Sequence, residues 1–223
     1  MLGIPPDRMW TLDTNCRDLA GDVINPIDGT PSILPASYYA TTTQEERSLL
    51  CVRHGLYVLP TVELIDSLRC EIANRAAIEI GSGNGAVARA LGITATDNRM
   101  QEWPEIAAMY ESAGQRCVRY GANVETLDGE EAVIKYRPKV IVGCWITHKY
   151  RPEHHARGGN MFAPDELFLL ANCETLILVG NNSTHSKHPL LKIPHLHVTG
   201  NWLYSRARDP GNFLGIWQSS VLS

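Results

Sequence analysis

No apolar run in this sequence approaches the roughly 20 residues that cross a bilayer. Residues 1–10 hold two prolines and an aspartate where a secretory leader would carry a basic and then an apolar stretch. Together these absences point to a cytoplasmic protein with no membrane partner. No two cysteines stand at C-x-x-C spacing. The six present, Cys16, Cys51, Cys70, Cys117, Cys144 and Cys173, belong to a 223-residue chain that is long enough to bury its own core. They are therefore read as reduced thiols rather than as staples. An excess of positive charge is missing too. The net charge is −4, so strong non-specific binding to nucleic acid is not expected. A local basic patch stays open, because residues 145–209 carry seven Lys or Arg against five Asp or Glu, with seven of the eight histidines. There is no internal repeat and no low-complexity tract.

What remains is ordinary globular material, 44% hydrophobic and 20% charged. It suits one α/β domain with a modest appendage. Residues 1–43 are broken by Pro5, Pro6, Pro26, Pro31 and Pro35 and by Gly21 and Gly29, with turn signals at Asn25-Pro26 and Asp28-Gly29. An irregular arm or lid is expected there, ordered only where it packs. Thr43-Gln44-Glu45-Glu46 reads as a capping box that opens a helix over 44–54, ended by Gly55. The arm and this helix make one unit, 1–54, and the main domain follows over 55–223.

Pro60-Thr61 starts a helix to about residue 74, with Val62, Ile65, Leu68 and Ile72 at helical spacing. Strands are expected at 77–80, 93–96, 118–120, 139–145 and 175–179. Helices are expected between them at 86–91, 104–113, 128–136 and 164–172. This alternation implies a parallel sheet covered on both faces. Two more strands, 195–199 and 212–217, joined through Asp209-Pro210-Gly211, fit an antiparallel pair at the sheet edge. The expected fold is α/β: a Rossmann-like three-layer sandwich, mostly parallel, with an antiparallel C-terminal strand.

The sharpest local signal is Glu79-Ile80-Gly81-Ser82-Gly83-Asn84-Gly85, which follows a strand and opens a helix. Glycines let a ligand approach the main chain, and a helix start offers N–H groups to an anion. Two ligands suit such a loop. A dinucleotide fits because Gly81, Gly83 and Ala86 match G-x-G-x-x-A and Asp97 ends the next strand. The other is S-adenosylmethionine, whose anionic group is an amino-acid carboxylate.

E-x-G-x-G-x-G after the first strand resembles the first motif of class I S-adenosylmethionine-dependent methyltransferases. The acid at Glu79, two places before the first glycine, and the third glycine at 85 favour this likeness over a dinucleotide site. The resemblance covers roughly residues 55–218. It implies that Glu79, Gly81, Ser82, Gly83 and Gly85 hold the amino-acid half of the cofactor. It further implies Asp97 and Asn98 at the ribose, Asn123 or Asp128, after the third strand, at the adenine, and Cys144 beside the sulfonium. Trp145 and His148 would border the methyl acceptor, with His148 as general base. Two departures stand out. Only 11 residues separate Gly85 from Asp97, and residues 180–194 are polar and rich in His and Pro, so the usual full helix is not expected there.

The acceptor is open: a small molecule or an unusual, modified nucleotide. No D/N/S-P-P-Y/F/W motif follows the fourth strand, and no Pro-Cys pair is present there, so a standard DNA methylase is not indicated. Rival functions are a nicotinamide- or nucleotide-binding enzyme, a protein that senses or cleaves S-adenosylmethionine, and an inactive Rossmann shell used for interaction. Plainer roles accompany each residue. Glu79 could pair with an arginine, Asp97 could cap a turn, Asp128 could be a helix N-cap, and Cys144 could be a small buried hydrophobe. Tyr57 suits the cofactor's amino-acid end or simple helix packing. Trp202 and Trp217 suit packing. His195-x-His197 on a strand puts both rings on one face, a spacing that can bind metal. With His185 and His188 near in sequence a zinc site is conceivable, but no Cys or acid stands at ligand spacing, so no metal is assigned.

Overall fold

The computed structural model describes residues 14–207 and 211–219. The expectations for residues 1–10, for Pro5 and Pro6, and for the Asp209-Pro210 turn lie outside those residues. In chain order the elements are α1 (Ala20–Val23), α2 (Ala36–Ala40), α3 (Gln44–His54), β1 (Val58–Leu59), α4 (Val62–Ile72), β2 (Ala77–Ile80), α5 (Ala86–Leu91), β3 (Thr94–Asp97), α6 (Pro104–Ser112), β4 (Val124–Thr126), α7 (Gly129–Tyr136), β5 (Val140–Cys144), α8 (Glu166–Ala171), β6 (Thr175–Asn181), β7 (Leu196–Val198), β8 (Tyr204–Ser205) and β9 (Asn212–Gln218).

Seven strands form one sheet in the order β4-β3-β2-β5-β6-β9-β7. The first five are mutually parallel. β9 runs antiparallel to both β6 and β7, so β9 alone opposes the rest, as a Rossmann-like sheet with one antiparallel C-terminal strand requires. Strand alternation divides the core in two. Ile141, Leu176, Leu178, Phe213 and Trp217 point to the face covered by α7 and α8. Val140, Val142, Ile177, Val179, Leu214 and Ile216 point to the face covered by α4 and α5. Both faces are buried, which explains why the β6 run is buried at all seven positions. Trp217 is fully buried, and its Nε1 donates to the Leu190 carbonyl at 2.9 Å, satisfying the one polar atom of the ring.

The capping box forms as read: Thr43 Oγ1 accepts from the Glu46 N–H and the Glu46 carboxylate accepts from the Thr43 N–H. Gly55 closes α3 in the left-handed conformation. α4 buries Leu64, Ile65, Leu68 and Ile72, while Val62 at its first turn is 41% exposed. The segment before α8 stays extended through Asp165, whose side chain caps the helix, so α8 starts at Glu166 rather than at 164. The polar stretch after β6 makes only a short 3₁₀ turn, Pro189–Lys192.

The third strand needs a correction. Residues 118–120 are irregular, and the strand that pairs with β3 is β4, further along the chain. A buried side chain explains the displacement. Gln101 Oε1 accepts from the Val118 N–H at 2.9 Å, and the Gln101 N–H donates to Tyr120 Oη at 3.4 Å. These bonds hold 118–120 away from the ladder. A turn closed by Val124 N–H to the Gly121 carbonyl then starts the strand. Asn123 therefore precedes the third strand instead of following it.

The arm is more ordered than its sequence suggests. Leu19, Val23 and Tyr39 from α1 and α2 pack with Leu50, Cys51, Leu56 and Leu59 in a third core. That core joins residues on both sides of position 54. β1 pairs antiparallel with β8 beside it. No helix among the described residues is long and apolar enough to cross a membrane.

Candidate active site

The carboxyl ends of β2, β3 and β5 meet where parallel strands of open α/β sheets leave a ligand crevice. A cavity of about 260 Å³ lies there. This is just under the range of roughly 300–1,000 Å³ usual for small-molecule sites. Gly81, Gly83, Asp97, Asn98, Cys144 and Trp145 line it, as the sequence suggested. Tyr57, Met100, Gln101, Tyr110, Tyr120, Thr147, Asn160 and Phe162 complete much of the wall. Of these only Tyr57 was legible beforehand. The others come from α6 (Tyr110), from the 3₁₀ turn at Met100–Glu102 and from loops, whose spatial meeting leaves no spacing signal in the sequence.

The glycine turn is built from its own hydrogen bonds. Ser82 N–H donates to the Thr96 carbonyl at 3.0 Å, and Gly85 N–H to the Ser82 carbonyl at 2.9 Å. Gly83 N–H donates to Asp97 Oδ2 at 2.9 Å. Gly81 and Gly83 have φ of +57° and +55°, a region that L residues rarely enter. A side chain at Gly81 would also meet Ile146 Cγ2 at 2.7 Å. Ile146 therefore sits directly against the turn, and Val118 packs at Gly83. These two side chains narrow the cavity.

Glu79 is 1% exposed and does not line the cavity. It pairs with no arginine. One carboxylate oxygen accepts from the Ala88 N–H at 2.9 Å, inside the first turns of α5. Burial pushes its pKa up to about 8, although the Cys144 thiol and the Ala88 N–H donate to it. The proton is therefore retained at neutral pH. The Cys144 thiol is pushed well above its usual range by burial and by Glu79. Asn84 Oδ1 takes the Ala86 N–H at 3.0 Å. Side chains thus occupy two N–H groups at the start of α5, the groups that a pyrophosphate would use.

Asp97 combines its plain role with its functional one. Besides Gly83, it accepts from the Arg99 N–H at 2.8 Å and turns the chain there. Burial raises its pKa, and the Gly83 and Arg99 N–H groups oppose that rise. Asn98 Nδ2 donates to the Phe162 carbonyl at 3.1 Å, tying the end of β3 to the far wall. No lysine, arginine or histidine is among the described lining residues, and Asp97 is their one carboxylate.

Gly85, Ser82, Asn123, Asp128 and His148 stand outside the lining. Asn123 Nδ2 donates to the Gly85 carbonyl at 3.1 Å, and its oxygen accepts from Arg89, which also reaches Asp28 of the arm. Asn123 is thus a brace for the loop's back. Asp128 is a helix N-cap, in a capping box with Glu131. Its neighbours Leu127 and Gly129 reach the cavity.

The wall segment 145–148 is unusual. Trp145 has φ of +66°, a rare state for a bulky residue, and is held there by its N–H to the Val179 carbonyl at 2.8 Å. Its ring lies 6.3 Å from Tyr57 and 5.5 Å from His185. His148 is 9% exposed and packs 5.5 Å from His188. Trp145 Nε1, His148 Nε2 and His185 Nε2 are buried without a hydrogen-bond partner among the described residues. Burial pushes His188 down to about 3, with the His185 and His148 rings adding to the effect. Across the cavity, Tyr57 Oη is 2.8 Å from Tyr110 Oη and accepts from Gln101 Nε2 at 3.1 Å.

No protein-family model matches the sequence, and no curated protein matches it either. Among solved structures the chain is similar to WbdD, seen in a co-crystal with a kinase inhibitor. The likeness has 14% identity and a TM-score of 0.37, covering 70% of this chain and 38% of that one. The chain therefore spans well under half the length of that structure. At this score the likeness carries no argument, and the fold assignment stands on strand order and direction.

Proposed function

We propose that this chain is an S-adenosylmethionine-dependent methyltransferase whose acceptor is a small molecule or a modified nucleotide. One observation carries the reading: the turn at Gly81 and Gly83 lies in the same cavity as Asp97 and Cys144, at the carboxyl ends of three adjacent parallel strands. The residues fit the cofactor by charge. A single carboxylate and no cation in the lining suit a ligand with a positive centre.

When bound, S-adenosylmethionine supplies an electrophilic methyl group on a cationic sulfur. The chain's own task is then mainly to position the acceptor. In this reading the turn from Gly81 to Gly85, with Ser82, cradles the amino-acid half, and Glu79 holds the turn from behind through α5. Asp97 keeps acceptor capacity beyond its bonds to Gly83, Arg99 and the Tyr120 hydroxyl, and this accepts a ribose hydroxyl, with Asn98 beside it. Leu127 and Gly129, flanking Asp128, border the adenine, while Asn123 braces the loop. Trp145, Thr147 and Tyr57 border the acceptor. His148 is the proposed base, standing behind Thr147 with an unpartnered Nε2.

Calorimetric titration with S-adenosylhomocysteine tests this. Clear binding is expected in the wild type, with a loss of at least tenfold in Asp97→Ala, about 1.4 kcal/mol or more. Binding of NAD(H) with none of S-adenosylhomocysteine would overturn it. A second reading, binding without transfer, is favoured by the lack of a histidine or lysine in the lining. Labelled cofactor incubated with cell extract separates the two: labelled acceptor means transfer, and a breakdown product alone means cleavage.

A further inference from the structure

We propose that His195 and His197 form a two-imidazole chelate for a divalent transition-metal ion on the outer edge of the sheet, independent of the cavity. They flank Leu196 on β7, the strand at the end of the sheet, so both rings stand on one face. His195 Nε2 and His197 Nδ1 are 3.4 Å apart. Two imidazole nitrogens bound at 2.0–2.1 Å to one tetrahedral ion stand about 3.3–3.4 Å apart. The observed spacing needs almost no movement.

The rings are also held ready. His195 stacks on Trp217 at 4.5 Å and 22°, and His197 stacks on Phe213 at 4.8 Å and 23°. Trp217 and Phe213 are themselves completely buried, so each platform is fixed. His195 Nδ1 is 2.8 Å from the Ile193 carbonyl. A carbonyl only accepts, so in the neutral ring Nδ1 carries the proton and Nε2 presents its lone pair to His197. A second ring nitrogen bonded to a carbonyl is the arrangement that orients histidine ligands in metal sites. Without the ion, His197 Nδ1–H donates to His195 Nε2. With it, the His197 proton sits on Nε2 instead, so both facing nitrogens bind the metal and no proton is lost overall.

No group of three or more His, Cys, Asp or Glu is arranged for a metal among the described residues. The pair therefore provides two ligands and water the rest, giving an open, exchangeable site. This differs from a zinc site that also includes His185 and His188. Those rings are buried beside Trp145 and His148.

The test is a Zn²⁺ titration of the full chain carrying Cys70→Ser, which removes the exposed thiol. One ion per chain is expected. His195→Asn and His197→Asn should each weaken binding at least tenfold, while His154→Asn with His155→Asn should leave it unchanged. A second measurement needs no histidine variant: substoichiometric Co²⁺ should broaden the imidazole NMR signals of His195 and His197 ahead of the other six histidines. Zn²⁺ affinity unchanged by either Asn variant, or Co²⁺ broadening that spares these two rings, would overturn the proposal. Neither result bears on the cavity.

Discussion

Glu79→Gln should abolish a specific loss of stability on the alkaline side of neutrality. Glu79 is buried with its proton, its folded pKa raised from 4.5 to about 8. The folded state therefore binds a proton that the unfolded state releases above about pH 4.5. The stability contributed by the neutral carboxyl is complete below the unfolded value and is lost as pH rises through about 8. Over the whole window the shift corresponds to about 5 kcal/mol. Part of that window is obscured. His188 is held near 3 and His185 is also lowered by burial, so their contributions grow as pH rises toward 6.5. Below about pH 6.5 the histidines and Glu79 oppose each other. Above pH 6.5 the histidine contributions level off, and the difference between wild type and Glu79→Gln isolates the Glu79 slope, which costs the wild type about 2 kcal/mol by pH 8. Glutamine keeps an oxygen for the Ala88 N–H and has no proton to lose. Urea unfolding at pH 6.5, 7.25 and 8 should show wild-type stability falling relative to Glu79→Gln by about that amount. Parallel curves for the two proteins would refute the claim that Glu79 is a neutral acid in the fold.

Gly81→Ala should destabilise by about 1 kcal/mol or more from its positive φ alone, with a further part from the clash with Ile146. Adding Ile146→Ala should recover the clash but not the φ part, measured by thermal unfolding of the single and double variants. Thr43→Ala removes a hydroxyl that accepts the Glu46 N–H and should cost about 1 kcal/mol in urea unfolding. Trp217→Ala empties a fully buried site, leaves the Leu190 carbonyl with the Ile193 N–H as its remaining donor, and should cost about 3–5 kcal/mol. In the same variant the His195 ring loses its platform, so Zn²⁺ affinity should fall even where the protein remains folded.

Much of the fold could be read from the sequence because its determinants are local. The strand runs at β2, β5 and β6 are apolar with both faces covered, and each is bounded by a visible breaker. The capping boxes at Thr43 and Asp128 lie within four residues. β4 was not legible, because Gln101, about 20 residues away, captures the Val118 N–H that a strand there would have used. The site divides along the same line. The positions of Gly81, Gly83 and Asp97 follow from where strands end, so they reach the cavity as expected. Glu79 and His148 lie outside its lining; successive side chains of a strand alternate, so Ile80 rather than Glu79 reaches the cavity.

This division bears on how the cavity works. Part of its narrowing comes from Ile146, the lining residue between strained Trp145 and Thr147. Ile146 packs on Gly81 and Gly143 alike. Shortening it should therefore enlarge the cavity without touching any polar group that holds the turn. Ile146→Ala removes Cγ2, the atom set against Gly81, with the rest of the branched side chain, and should cost about 2–5 kcal/mol of stability. If the cavity takes S-adenosylhomocysteine and Ile146 must move for it, the same variant should bind that ligand more tightly than the wild type in calorimetry. Weaker binding in Ile146→Ala would mean that Ile146 is part of the ligand's contact surface rather than an obstruction at the turn.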